Sequence, residues 1–528
     1  MPNTTGAAHK SRGLMSRAAL ALLAATAWTG VAQAQSVAHT SAISSADGSH
    51  PFNAAAFNRV PQNLAASGYV EQEYSMNGVA LAYAYKNPNT ATDDSYAPVQ
   101  TSPVPYVTRI IVRRPANPAN FSGNVIVEIL NDALGTDALV TWPFASNQFI
   151  ANGDAYVGIT GTPTGLAALK GYAPTRYRSL NWPSVAATRS ACGTTAEPGL
   201  IYDQVTQLGT LLKTPSSTGP LPGFAVKALY LTGYSQGAST LLTYNRVFGQ
   251  NGPLLNGAPL WDAYFVAAGG FRATLQSCEA SNVSTLHNAP PASSISAVFQ
   301  TQTVSEEEGA YLLGIQKTGT PVTIPAGTDS DASNNRYRYY DLAGAAHVNG
   351  DLARNEPKLA DYANINALAY VTQAEATSTC QQPSGSIITA FPDRFVYDAL
   401  WANLEAWVRN GTAPPHEAGK LSIPSDGLTG VPTNGVRSPA VDVPIDRYFG
   451  GTVVNNNSPG VATLCGLTGY QEPSGATTTT AAYNAAVQAD AASLLAGRFM
   501  TAADAATLTA TPSLAATYPD GTTSIPND

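Results

Sequence analysis

Ser235 stands in Gly233-Tyr234-Ser235-Gln236-Gly237, a serine with glycines two places before and two places after it. Such a pattern also arises by chance in a glycine-rich chain, so its setting decides its meaning. Residues 226–232 read as a short apolar strand running straight into it, and residues 236–248 read as a helix. Strand, tight turn and helix in that order make a nucleophile elbow. The turn strains the serine backbone and lifts its hydroxyl above the sheet, and the flanking glycines remove side chains that would clash there. The helix that opens after the serine aims unpaired N–H groups at the reaction centre, so the N–H of Gln236 is one expected oxyanion donor.

A serine nucleophile needs a general base, and histidine titrates in the useful range. The chain has six histidines. His9 falls in a leader-like segment, His39 and His50 in an irregular N-terminal stretch, His287 in an Asn/Pro loop and His416 behind a double proline. His347 alone follows a strand directly, in Asp341-Leu342-Ala343-Gly344-Ala345-Ala346-His347, 112 residues after Ser235. A carboxylate must then orient the imidazole and stabilise its charged form. Residues 295–301 read as a strand, and Ser305-Glu306-Glu307-Glu308 follows closely. Glu306 and Glu308 face the same way in an extended turn and are the candidate acids. Asp329, Asp331 and Asp341 are less well placed; Asp341 lies within the strand that leads to His347.

The elements around these residues predict an α/β fold. Runs at 79–86, 107–113 and 124–130 read as strands, the first two before any clear helix, an antiparallel start. Strands at 155–160, 226–232, 263–268, 295–301 and 336–342 then alternate with helical stretches. That order predicts a mostly parallel sheet flanked by helices. A late helix spans 393–409, with Val396, Leu400, Leu404, Trp407 and Val408 on one face and Gly411 at its end. We divide the chain into a loop-rich N-terminal extension (35–75), a catalytic domain (76–475) with a lid-like insertion at 163–224, and an Ala/Thr-rich C-terminal segment (476–528). Residues 412–475 are rich in Pro, Gly and Asn and read as loops.

Composition narrows the function classes. The 528 residues are 44% hydrophobic and 12% charged, about half the usual charged share. Lys10, Arg12 and Arg17, an apolar run at 18–31 and Ala32-Gln33-Ala34 read as a secretory signal peptide cleaved after Ala34. The run is short for a membrane span, no later run is long enough, and no twin arginine is present. The expectation is a Sec-exported protein, secreted or periplasmic. Removing residues 1–34 takes the net charge from −8 to −11, which disfavours nucleic acid as a partner. Cys192, Cys278, Cys380 and Cys465 permit two disulfides in three pairings, and their spacing is unlike a zinc site. P-loop, dinucleotide and HExxH patterns are missing, so no cofactor or metal is expected. The oligomeric state is not legible.

Together these motifs resemble a large bacterial α/β-hydrolase-domain family with a G-Y-S-Q elbow, a Ser-Glu-x-Asp acid turn and an Ala-Gly-x-x-His loop. Asn131, Gly135 and Asp137 resemble its N-x-x-x-G-x-D stretch, and Arg176-Tyr177 its R-Y element. Residues 404–415 resemble its W-V-x-x-G-T-x-P-P helix end, and residues 435–444 its G-V-R-x-P-x-V-D-V-P signature. The resemblance covers most of 75–475. It departs at Gly237-Ala238, where the family has Ser-Gly, and in the acid turn, where Glu306 matches the family's Glu and Glu308 replaces its Asp. It implies an α/β-hydrolase fold, Ser235 as nucleophile and His347 as base. The second oxyanion N–H is expected near Asn131 and Asp132. The expected substrate is a small-molecule or polymeric ester.

Overall fold

The computed structural model describes residues 38–44, 47–90, 92–100, 102–185, 196–214, 219–249, 254–255, 258–269, 272–279, 296–303, 305, 326–365, 378–422, 429–452 and 464–526. The signal-peptide reading therefore lies outside the described residues. The fold is built on one sheet of ten strands: β1 (His39–Ala42), β2 (Tyr69–Ala80), β3 (Val104–Pro115), β4 (Asn124–Ile129), β5 (Ala155–Ile159), β6 (Ala228–Tyr234), β7 (Ala263–Ala267), β8 (Ala297–Thr303), β9 (Ser330–Ala332) and β10 (Asn335–Leu342). Their spatial order is β1-β2-β3-β5-β4-β6-β7-β8-β10-β9. From β5 through β10 every neighbouring pair is parallel, while β1, β2, β3 and β9 join antiparallel at the two sides.

Alternation along the strands makes two cores. Val125, Val127, Leu229 and Leu231 bury one face against α2 (Pro163–Tyr172), α3 (Ile201–Lys213) and α4 (Gln236–Tyr244) through Leu169, Val205, Leu208 and Leu241. Ile126, Tyr230, Phe265 and Phe299 bury the other against α1 (Thr141–Asn152) and α5 (Asp393–Asn410) through Phe149, Leu400, Trp401 and Leu404. A period of two puts neighbouring residues on opposite faces, so a strand buried on both sides reads as a continuous apolar run. The helix ending at Gly411, in the left-handed region at φ 71°, is as the sequence predicts. Two Ala/Thr-rich helices, α6 (Thr480–Ala496) and α7 (Ala502–Ala510), pack on each other and on Phe395.

The N-terminal reading needs correction. Strands β1 and β2 lie largely within 35–75, and β2 pairs with β3 along twelve residues from Tyr69↔Pro115 to Ala80↔Val104. The expected strand at 79–86 is instead the end of β2 followed by a small hairpin, Tyr83–Tyr85 with Tyr96–Pro98. Glu71 and Glu73 hid β2, since charged residues read as solvated surface. Here they face Arg113 and Arg109, each at 2.7 Å. The described parts of α2 and α3, within the expected lid at 163–224, pack on the sheet as flanking helices.

Beneath the start of α1 lies the carboxyl of Glu128. It accepts the N–H of Val140 at 3.1 Å and of Thr141 at 2.9 Å, and the hydroxyl of Tyr156 at 2.5 Å. It thus caps a helix whose own N-cap residue is an apolar valine. Burial raises Glu128 to about 7 against those hydrogen bonds. Burial likewise raises Asp504 to about 6.

An acid with a raised folded pKa holds its proton longer in the folded state. Its stabilisation is full below the unfolded value and is lost as pH rises through the folded value. For Glu128 that window runs from 4.5 to about 7. Glu128→Gln mimics the protonated form. Urea denaturation is expected to give equal stability for both proteins at about pH 3.5, below the unfolded value, and a gain for the variant at pH 8 of up to roughly 3 kcal/mol. Parallel pH curves would contradict a buried, titrating carboxyl.

Candidate active site

The C-terminal end of β6 carries Ser235. The strand is buried along its whole length and is paired in parallel with β4 and β7, so its end is fixed from both sides. Ser235 then takes φ 57° and ψ −116°, a conformation that costs a non-glycine residue about 1–3 kcal/mol. Its N–H donates to the Ala267 carbonyl at 3.0 Å, and its carbonyl accepts the Ser239 N–H at 2.9 Å. A Cβ on Gly233 would lie 2.5 Å from the carbonyl carbon of Gly237, and one on Gly237 would lie 2.4 Å from the Ile129 oxygen. Both contacts are with backbone, so both glycines are obligatory. Helix α4 starts at Gln236, and its first N–H groups have no partner within the helix.

After β4 the chain forms a closed loop. Asn131 and Ala138 exchange two backbone hydrogen bonds, at 3.0 and 2.9 Å. The Asn131 side chain spans the gap to the elbow: its Nδ2 donates to the Tyr234 carbonyl at 2.9 Å, and its Oδ1 accepts the Ala133 N–H at 2.9 Å. The sequence left Asn131 and Asp132 open as the second oxyanion donor. The N–H of Asn131 donates to the Ala138 carbonyl at 3.0 Å, and that of Asp132 makes a long hydrogen bond to Gln236 Oε1 at 3.4 Å, which places it beside the first residue of α4. Burial raises the Asp132 carboxyl, opposed by hydrogen bonds from Thr162 and Thr164.

The far side of this loop rests on buried charges. Asp137 accepts from Thr160 at 2.6 Å and pairs with Arg109 at 3.3 Å. Arg109 donates to Glu73 at 2.7 Å, and Glu73 also takes Arg176 at 2.8 Å and the Tyr177 hydroxyl at 2.8 Å. The Asp and Arg-Tyr motif residues of the sequence are therefore parts of one scaffold. Burial raises Asp137 to about 6 even against the pull of Arg109.

His347 is buried in the loop that follows β10. Its backbone N–H donates to Ser305 Oγ at 2.9 Å, and Ser305 donates to the Gly450 carbonyl at 2.5 Å. Its carbonyl accepts the Tyr234 hydroxyl at 2.9 Å, and the Tyr234 and His347 rings lie 5.0 Å apart. This loop therefore reaches the residue next to Ser235. The distal glycine-valine signature supports it: Val436 donates to Asp341 and accepts from Ala343, at 2.7 and 3.0 Å, and Gly435 sits at φ 80° against the Asp341 carbonyl. Val348 bonds to Leu467, close to the Cys380–Cys465 disulfide. Cys278 is also disulfide-bonded.

The candidate acids Glu306 and Glu308 lie outside the described residues. The alternatives are engaged elsewhere. Asp341 accepts the Leu421 N–H at 3.0 Å, Asp329 meets His416 at 2.7 Å, and Asp331 meets Arg338 at 2.6 Å. His50 lies against Tyr172 and Asp361, far in sequence from the elbow. Sequence reading missed the roles of Tyr234, Ser305 and the Asn131 side chain. Only their positions inside motifs marked them.

The family model described as "Alpha/beta hydrolase domain" matches residues 36–510. The chain belongs to that family. The alpha/beta hydrolase match starts before β1, in keeping with the place of β1 and β2 in the sheet. No curated protein matches. Among solved structures, the chain is similar to lipase A of Candida antarctica (13% identity, 40% of each chain, TM-score 0.22). It is similar to the rice cell wall degrading esterase LipA of Xanthomonas oryzae (12% identity, 38% of this chain and 43% of that one, TM-score 0.20). It is also similar to acetyl xylan esterase 1 of a Thermoanaerobacterium species (10% identity, 38% and 48%, TM-score 0.18). It spans less than half the length of these three structures. No helix among the described residues is long and apolar enough to cross a membrane.

The tight elbow makes a simple prediction. Gly237→Ala should lower stability by about 2–3 kcal/mol, because the Ile129 backbone at the end of β4 must move. Gly466→Ala, with open space around the site, should stay within about 0.5 kcal/mol of wild type. Chemical denaturation of the two variants checks it, and equal stabilities would contradict the packing.

Proposed function

We propose that this alpha/beta hydrolase cleaves carboxylic esters through an acyl-enzyme on Ser235. The Ser235 hydroxyl gives its proton to the His347 imidazole as its oxygen bonds to the ester carbonyl carbon. The carbonyl electron pair moves onto oxygen, where the N–H groups of Gln236 and Asp132 receive the charge. As the intermediate collapses, the imidazolium protonates the departing alcohol. A water, deprotonated by His347, then releases the acid. One of Glu306 and Glu308 orients His347. Esters suit this machinery because an alcohol leaves more readily than an amine.

The observation that carries the reading is the strained Ser235 turn with the His347 loop hydrogen-bonded to the residue beside it. The charged and apolar order of residues 10–34 and the disulfide-bonded cysteines support export from the cytoplasm.

The test is hydrolysis of a p-nitrophenyl ester series beside the matching anilides. Wild type should turn over esters far faster than anilides. Ser235→Ala and His347→Ala should each lose about 10³-fold or more in kcat while remaining folded. Anilides cleaved as well as esters would favour a peptidase. Full activity in either variant would remove that residue from the mechanism.

A further inference from the structure

Tyr234 makes more contacts with the site than its place before the nucleophile requires. Its carbonyl accepts Asn131 Nδ2 at 2.9 Å, which ties the oxyanion loop to the elbow. Its hydroxyl donates to the His347 carbonyl at 2.9 Å, which ties the base loop to the same residue. Its ring centroid lies 5.0 Å from that of the imidazole, with the planes tilted by 50°. The Phe144 ring also lies 5.6 Å from it, and the residue is buried, so the ring has little freedom to turn away.

We propose that Tyr234 is a positioning residue of the ester-cleaving site, acting through His347 in two separable ways. Its hydroxyl holds the His347 loop in register with the elbow. Its ring lies within the roughly 6 Å over which an aromatic face attracts a cation, so it favours the imidazolium that forms when Ser235 gives up its proton. Both effects are larger in the transition state than with substrate merely bound, because only there must the imidazole be placed accurately and carry charge. Loss of either therefore lowers kcat and leaves KM in place.

This inference rests on the Ser235 and His347 reading, and the test separates the two. Wild type, Ser235→Ala, Tyr234→Phe, Tyr234→Leu and Tyr69→Phe are compared on p-nitrophenyl acetate, with thermal unfolding of each. Tyr234→Phe keeps the ring and loses the hydroxyl, and about a tenfold fall in kcat is expected with KM within twofold. Tyr234→Leu loses both, and about a hundredfold fall is expected. Phenylalanine thus restores part of what leucine removes. Tyr69→Phe is the comparator: that hydroxyl bonds to the Phe149 and Asp154 carbonyls at 2.9 and 2.8 Å, remote from the elbow. It should lose stability and keep the wild-type kcat. Wild-type kcat in Tyr234→Phe, or an equal fall in Tyr69→Phe, overturns the proposal. Activity that survives Ser235→Ala overturns the underlying reading instead.

Discussion

The site depends on one constraint: a serine held at positive φ where a parallel strand ends. That backbone is unfavourable in isolation, and the surroundings leave it no alternative. The neighbouring strand accepts its N–H, the following helix turn uses its carbonyl, and two glycines make room for the bend. Ala268, at the end of the next strand, also sits at positive φ and donates to Thr301. Two of the five positive-φ non-glycine residues among those described, Ser235 and Ala268, thus lie side by side at the carboxyl edge of the sheet, and strain of this kind is found at functional sites.

The loops that complete the site are fixed by polar groups taken out of water. Glu73, Arg109, Asp137 and Arg176 are buried together. Removing charges from water costs several kcal/mol each, and their attraction repays it only when the remaining hydrogen bonds are made. Here Phe52, Ser49, Thr160 and Tyr177 supply them. The cluster adds little net stability on this view, but it admits one arrangement of the loop bearing Asp132. Burial raises other carboxyls too, and Glu417, beside Asp341, is raised to about 8.

How far the sequence is legible follows from where apolar residues lie. The central strands are buried on both faces and read as uninterrupted apolar runs, so the parallel core and the elbow were visible. Strand β2 was not: its Glu71 and Glu73 point inward to arginines more than thirty residues away, and period-two patterning cannot see a buried salt bridge. His347 drew attention because small residues lead to it from a strand, and its place in the loop after β10 is as the sequence predicts. Asn131 was read for its backbone N–H, which donates to Ala138, while its side chain bridges to Tyr234. Ser305 and Tyr234 act through contacts with residues 42 and 113 positions away, which no local pattern encodes. The Cys380–Cys465 pairing was one of several that spacing allowed.

The central claim is that Ser235 is the nucleophile of this fold. Its most direct measurement is the mass of the peptide modified by a fluorophosphonate. The account predicts a single adduct per chain on the serine of the Gly-Tyr-Ser-Gln-Gly peptide, with no labelling of folded Ser235→Ala. An adduct on any other residue, or undiminished labelling of that variant, would contradict it.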